Sequence, residues 1–341
     1  MNKIKKEIKL LYTFIILFIV CAFLLLFSIL LVLSKPLNQA NSKDFEKTSN
    51  SVVSIHTYTG NKKTKQGSGF IYKVEKDKAY ILTNNHVVDE KANLKVFVTE
   101  EKSVKATLVG RDKYLDIAVL TIENNNYKAL KLNRKNNYNI GDTIYTIGTP
   151  LNNEFFNSVS SGIISKTNRL RYEKNDNEDI LMDLIQTDII INPGNSGCPL
   201  FNSKLEVIGI YTSIIETENI SAISFAVPIT QVINKLDELE KKGKATERKI
   251  SNLEVVDVKD SEVLYKNDLI DITKESYGVV VIKDDEKSSL KKGDIIIKIN
   301  DKKVKDIDHY NLYLNHYSEG EKVSLKIKRN NIEKTIKVTL K

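Results

Sequence analysis

The chain has 341 residues, 41% of them hydrophobic and 28% charged, with a formal net charge of +8. That length suffices for two or three domains with packed cores, and only 5 Pro and 14 Gly exclude a collagen-like, proline-rich or largely disordered chain. Half of the charge sits at one end, where Lys3, Lys5, Lys6, Lys9 and Lys35 against Glu7 give a net +4 in the first 35 residues, so charge alone does not point to a nucleic-acid partner.

Leu10 to Leu33 run for 24 positions without a charge, enough as a helix to cross a hydrocarbon core of roughly 30 Å. A cleaved signal peptide has a shorter apolar core of about 7 to 15 residues, and Asn38 stands where a small residue would precede a cut after Ala40. The pattern predicts an uncleaved, single-pass anchor over 10–33 in the cell membrane. Residues 1–9 are expected in the cytoplasm with their lysines, and everything from about Ser34 on its outer side. Cys21 lies in the apolar span and Cys198 far beyond it, so the two cannot pair within one chain. No CxxC or HExxH spacing is present, and neither a metal nor another cofactor is expected.

Residues 34–50 are polar and read as a linker. From Ser51 to Pro228 short β-type runs alternate with turn residues: SVVSIHTY, GSGFIYKV, AYILT, LKVFVTE, KATLVG, IAVLTI, DTIYTIG, SVSSGIIS, EVIGIYTS and ISFAVP. Such spacing predicts a β-barrel or sandwich. Ile229, Val232, Ile233, Leu236 and Leu239 then recur at helical spacing, before the lysine-rich KKGK. A smaller β-rich unit follows from about Ile250, closing in the alternating hairpin VSLKIKR, Asn330-Asn331, IEKTIKVTL.

Three stretches carry chemistry: Thr83 to Val88 (TNNHVV), Asp116 to Leu120 (DIAVL) and Gln186 to Gly197 (QTDIIINPGNSG). A serine hydroxyl is a poor nucleophile until a base takes its proton, and a buried carboxylate holds that base in one tautomer. Glycines beside the serine allow a tight turn that aims backbone N–H groups at the oxyanion. The chain order His, Asp, Ser is that of two-barrel serine proteases. Gln66-Gly67-Ser68-Gly69 lacks the lysine and following helix of a phosphate-binding loop, and reads as close strand packing. The lysine-rich surface lacks aromatic interleaving and reads as solvated face, with no nucleic-acid partner.

Together with Phe225 to Pro228 (FAVP) and Leu290 to Asn300 (LKKGDIIIKIN), these motifs resemble those of membrane-anchored HtrA/DegP-type serine proteases, a trypsin-like domain followed by a PDZ domain. The resemblance covers nearly everything from residue 51 onward. It implies a mainly β chain: two six-stranded trypsin-like β-barrels over 51–230, a connecting helix and linker over 231–249, and an α+β PDZ domain over 250–341. Carried over by position, His86 is the general base, Asp116 its orienter and Ser196 the nucleophile. The N–H groups of Gly194 and Ser196 form the oxyanion hole, with Asn195 on the same loop.

By the same resemblance Ile190 lies near the floor of the substrate side-chain pocket, with Tyr211, Thr212 and Ser213 along its wall. With no acid at that floor, cleavage after small or medium aliphatic residues is expected. Leu253, Glu254 and Val255 fall in the loop that receives a peptide's C-terminal carboxylate, with Glu254 replacing the usual glycine. Cys198 also stands where the family usually has glycine; a left-handed backbone there would strain the turn. The resemblance implies a homotrimer that degrades unfolded or damaged exported proteins and binds C-terminal peptides. Cys198 and Glu254 motivate a second reading, a catalytically idle peptide-binding or chaperone-like scaffold.

Overall fold

The structure, a computed structural model, describes residues 2–33, 40–124, 126–175, 178–214, 222–245, 248–250, 252–269, 271–272, 276–284 and 288–341. Residues 1–42 and 43–341 form separate units. In the first, helix α1 spans Asn2–Leu33, and its 23-residue stretch Ile8–Leu30 is long and apolar enough to cross a membrane. Residues 34–39 of the expected linker lie outside the described residues. The rest of it is more than a tether. Helix α2 spans Ser42–Ser49, Phe45 packs edge-on against Tyr145 at 5.0 Å, and the carbonyl of Ser49 accepts a bond from Asn157 Nδ2 at 2.9 Å.

Six strands close the first barrel: β1 (Val52–Thr59), β2 (Lys62–Glu75), β3 (Lys78–Thr83), β4 (Asn93–Phe97), β5 (Ser103–Asp112) and β6 (Ile117–Glu123), in the order β1-β2-β3-β6-β5-β4. Ile55, Ile71, Ile81, Val96 and Leu120 are among the side chains that fill it. A second closed barrel follows: β7 (Thr143–Gly148), β8 (Ser158–Asn175), β9 (Glu178–Thr187), β10 (Pro199–Phe201), β11 (Val207–Ile214) and β12 (Ser224–Pro228). Ile144, Ile164, Ile185, Leu200 and Tyr211 lie in its core. Each barrel closes because alternate residues of every strand turn inward, and closure leaves no unpaired edge.

Helix α3 (Ile229–Lys242) buries Ile229, Val232, Leu236 and Leu239, four of the five stripe residues expected from the sequence, leaves Ile233 half-buried, and stops where Gly243 turns left-handed at φ 76°. Its end sits so close on β5 that a Cβ on Gly110 would lie 2.4 Å from the Leu239 carbonyl. The C-terminal sheet comprises β13 (Glu254–Asp257), β14 (Val279–Lys283), β15 (Ile295–Ile299), β16 (Lys302–Lys303), β17 (Lys322–Arg329) and β18 (Ile332–Thr339), with helices α4 (Ser261–Lys266) and α5 (Ile307–Asn315). Asn330 and Asn331, at φ 51° and 62°, make the expected tight turn between β17 and β18. Asp294, 1% exposed, accepts two parallel bonds of 2.6 Å from Arg329, which explains the buried acid of the GD pair.

The long hairpin β8–β9 leaves the second barrel and contributes Leu170 and Leu181 to the core of the C-terminal unit. Around that contact Lys302 pairs with Asp183 at 3.0 Å and the Tyr172 hydroxyl donates to Asp308 at 2.6 Å.

Candidate active site

β3 and β6 are paired with Thr83 opposite Ala118. That register brings together the segments just beyond it: the short 3-10 turn Asn85–Val87 carrying His86, and Asp116, immediately before β6. His86 Nδ1 lies 2.7 Å from Asp116 Oδ2, and the His86 backbone N–H donates to Oδ1 at 2.9 Å. Asp116 holds a left-handed φ of 52°, uncommon for a residue with a Cβ. Its carbonyl accepts from Asn84 Nδ2 at 2.9 Å and from the Asn85 N–H at 3.1 Å. A third donor to its carboxylate comes from the second barrel, the Thr212 hydroxyl at 2.5 Å from Oδ2. Burial works against a charge on His86, but the hydrogen bond and the negative charge of Asp116 outweigh it and hold the imidazole pKa above its ordinary value.

Ser196 lies on the loop before β10, which is laced to the His86 side of the cleft. The Ser68 N–H donates to the Ser196 carbonyl at 2.7 Å. Ser68 Oγ donates to the Gly194 carbonyl at 2.8 Å while accepting from the Thr149 N–H at 3.0 Å. A Cβ on Gly67 would lie 2.5 Å from Val87 Cγ2 and 2.9 Å from the Ser196 carbonyl. The stretch that reads in sequence as strand packing is therefore also the support of the serine loop. The Ser196 hydroxyl and His86 make no hydrogen bond to each other among the described residues; such bonds commonly tighten only when substrate is bound.

The loop's donors are divided. Asn195 N–H bonds to the Asn192 carbonyl at 3.0 Å and Gly197 N–H to the Tyr211 carbonyl at 2.9 Å. Among the described residues, Gly194 and Ser196 keep N–H groups that no protein acceptor uses. The Pro193 carbonyl accepts from the Leu151 N–H at 2.7 Å, and because a trans peptide points its N–H opposite its C=O, the Gly194 N–H faces away from Leu151. Gly194 adopts φ 98°, and a Cβ there would lie 2.6 Å from the Thr149 carbonyl, so only glycine fits. Asn195, expected on the oxyanion loop, is on it, but its N–H is engaged within the turn.

Cys198 is fully buried and has no left-handed backbone; the positive φ falls on Gly197, at 88°. The strain that would make cysteine costly there is absent. Its Sγ lies 3.0 Å from Thr146 Oγ1, and burial pushes the thiol up to about 12, so it carries no thiolate near neutrality. Of the four expected pocket residues, Ile190 is 55% exposed, open rather than a floor. The Tyr211 ring is buried in the barrel core, with its hydroxyl 2.9 Å from Thr187 Oγ1. Thr212 turns to Asp116. These two departures have one cause: along β11 successive side chains alternate between faces, so a run of three cannot all line one wall. The Ser213 side chain and residues 215–221 lie outside the described residues. The acid nearest Ile190 in sequence, Asp188, is occupied, accepting the Ile163 N–H at 2.7 Å.

In the C-terminal unit, Leu253 and Val255 pack partly buried on the core, the Leu253 N–H bonds to the Ile250 carbonyl at 2.9 Å, and Glu254 is exposed and paired with Lys283 at 2.7 Å. Sequence reasoning missed Thr212 as a partner of Asp116, and Ser68 as the tie of the serine loop. A hydroxyl residue in a strand gives no signal of either role until strand pairing is known.

Two barrels with histidine and aspartate on one and serine on the other define the trypsin-like class of peptidase domain, here followed by an α+β unit. Residues 67–210 match the family model of the trypsin-like peptidase domain, and 254–340 that of the PDZ domain. The chain is 38% identical over 290 residues to "Serine protease HtrA-like" of Staphylococcus epidermidis, covering 81% of this chain and 49% of that protein. To its namesake in Staphylococcus haemolyticus it is 33% identical over 293 residues, 82% of this chain and 46% of the relative. The chain thus spans about half the length of the curated relatives it matches. Among solved structures, the HtrA-type protease AlgW with tripeptide superposes with a TM-score of 0.62 at 29% identity, over 86% of this chain and 94% of that one. The serine endoprotease from Yersinia pestis does so with 0.57 at 25%, over 88% and 98%. The chain thus joins a trypsin-like peptidase domain to a PDZ domain and is similar over most of its length to HtrA-like serine proteases.

Proposed function

We propose that this protein is a membrane-anchored serine endopeptidase whose catalytic residues are His86, Asp116 and Ser196. The observation that carries the reading is the His86–Asp116–Thr212 hydrogen-bonded line facing a serine loop with two unengaged N–H donors. In the reaction, His86 Nε2 takes the Ser196 proton as Oγ attacks the peptide carbonyl. The carboxylate of Asp116 holds Nδ1 as the donor and stabilises the imidazolium that forms. The N–H groups of Gly194 and Ser196 receive the oxyanion, each such donor contributing about 3 kcal/mol to the transition state. The imidazolium then protonates the leaving amine, and water hydrolyses the acyl-serine by the same steps. Cys198 takes no part. The absence of strain at Cys198 removes a main support of the idle-scaffold reading.

The engagement of Asp188 by the Ile163 N–H supports a side-chain preference for small or medium aliphatic residues rather than Lys or Arg. The C-terminal unit is a PDZ domain in which β13 is an edge strand, open to an added peptide strand. Lys283 offsets the charge of Glu254 beside the carboxylate loop. C-terminal peptides that bind, and amidated forms that do not, would support carboxylate capture; equal binding would refute it. Substrates are unfolded or damaged proteins on the outer side of the cell membrane, reached by a chain held through residues 10–33 with the lysines inside. A homotrimer is supported by exposed Leu151, Phe155, Val159 and Ile163 on and before β8 of the second barrel. Casein hydrolysis by the full chain in detergent tests the activity. The wild type should hydrolyse it, and Ser196→Ala should lose about a million-fold in kcat; equal rates would overturn the assignment.

A further inference from the structure

Just after its turn from β1, strand β2 carries three lysines, Lys62, Lys63 and Lys65. From Lys65 to Gly67 it pairs with β1 without a break, Lys65 opposite Thr57, Gln66 opposite His56 and Gly67 opposite Ile55. In so regular a run, residues two apart point to the same face. Gly67 shows which face that is, since a Cβ there would lie against the Val87 side chain and the Ser196 carbonyl. Lys65 therefore sends its stem along the segment that follows His86, and its Nζ donates to the Val88 carbonyl at 3.3 Å. From there its charge opposes a positive charge on the His86 imidazole.

Lys65 is exposed and pairs with no carboxylate among the described residues. The acids near it in the site and along the chain are used otherwise. Asp116 is held by His86 and Thr212, Asp89 Oδ1 accepts the Lys91 N–H at 3.1 Å, and Glu90 pairs with Arg111 at 2.9 Å. Lys63 is turned to Gln66 Oε1 at 2.7 Å. An ammonium has three donors, so one long bond to a carbonyl leaves Lys65 able to take a carboxylate.

The serine loop fixes which part of a substrate that carboxylate would belong to. The Ser196 carbonyl accepts from the Ser68 N–H on β2 at 2.7 Å, and the Gly197 N–H donates to the Tyr211 carbonyl on β11 at 2.9 Å. Both groups belong to one trans peptide and point opposite ways, so β2 and β11 flank the loop. With the acyl portion of the substrate along β11, the leaving portion runs along β2. We propose that Lys65 recognises an acidic side chain on the leaving-group side of the scissile bond, at the first or second residue after the cut. This rests on the reading of His86 and Ser196 as base and nucleophile, and it narrows the substrates to chains with Asp or Glu just beyond an aliphatic residue.

The test uses internally quenched peptides with Val before the cut and Glu, Gln or Lys at the first or second position after it, hydrolysed by the full chain in detergent. At one of the two positions the wild type should turn over the Glu peptide with a kcat/KM about threefold to tenfold above that of its Gln counterpart, and the Lys peptide more slowly than both. Each preference is a ratio within one protein, so a general loss of activity cancels. Lys65→Met should bring the Glu-to-Gln ratio to about one, Lys65→Arg should keep it, and Lys65→Glu should reverse it in favour of Lys. Glu placed before the cut should give the same ratio in the wild type and in Lys65→Met, which separates the subsite from attraction by the basic molecule as a whole. A wild-type ratio of about one at both positions, or a preference that survives Lys65→Met, would overturn the proposal. In a Ser196→Ala background, fluorescent forms of the same peptides read the subsite without chemistry: Glu should bind more tightly than Gln, and Lys65→Met should remove the difference. A wild type that hydrolyses none of the peptides would refute the peptidase reading; the binding difference then decides the subsite, and equal affinities would overturn it.

Discussion

Thr212 joins the two barrels' contributions to the candidate site at the level of one hydroxyl. Its bond to Asp116 crosses from β11 of the second barrel to the loop before β6 of the first. A hydrogen bond to an ionised group contributes about 1.5–3 kcal/mol, so Thr212→Val should lower kcat by about tenfold or more, while Thr212→Ser, which keeps the donor, should stay near wild type. Equal kinetics for both variants would show the bond to be incidental. His86 gives a pH prediction whose sign follows from Asp116. Because the carboxylate favours the imidazolium, the base is lost at a higher pH than in a free histidine. Activity should be full above the raised pKa and fall as the pH drops through it, with an acid limb above about 6.5. Stability runs the other way: the pair's contribution is present below the unfolded-state value and disappears as the pH rises through the folded one. An acid limb below the ordinary histidine value would contradict the pairing.

At the level of elements, the serine loop depends on β2. Gly67 lets that strand approach both Val87 and the Ser196 carbonyl, and no alanine methyl fits without moving one of them. Gly67→Ala should destabilise by about 1–3 kcal/mol and slow acylation of Ser196; an unchanged melting temperature and an unchanged rate would contradict the packing. This is also where the sequence was least legible. Ten of the twelve barrel strands announce themselves as apolar runs between turn residues, but β9 mixes acids with leucines because its hairpin serves two neighbours, and β10 is three residues long. The proposed triad was readable because serine, histidine and aspartate stood in family order with glycines beside the serine. Their support was not, since Ser68 and Thr212 act through contacts between residues 81 to 126 apart in the chain. The alternation of β11 likewise spread the expected pocket wall over two faces, core and site.

The whole molecule joins an apolar helix, two barrels and a PDZ unit whose start and end are bonded together, Lys249 and Lys341 exchanging N–H and carbonyl contacts of 2.9 and 3.2 Å. The PDZ unit meets the barrels through Leu170, Leu181 and a set of ion pairs of unequal weight. Arg248 and Glu238 are both nearly sealed from solvent, so Arg248→Met leaves the buried carboxylate with only the more distant Lys242, 3.8 Å away, and should cost about 3–5 kcal/mol. Lys242→Met removes an exposed partner of Glu319 and should cost less than about 1 kcal/mol. Similar melting temperatures for the two variants would show that burial does not rank these contacts. The central claim, that His86 and Asp116 activate Ser196 and that Cys198 is a packing residue, is tested most directly by a fluorophosphonate that acylates activated serines, applied to the full chain in detergent. Labelling is predicted in the wild type and in Cys198→Ala, and its loss in Ser196→Ala and His86→Ala; labelling that survives Ser196→Ala and disappears in Cys198→Ala would contradict the account.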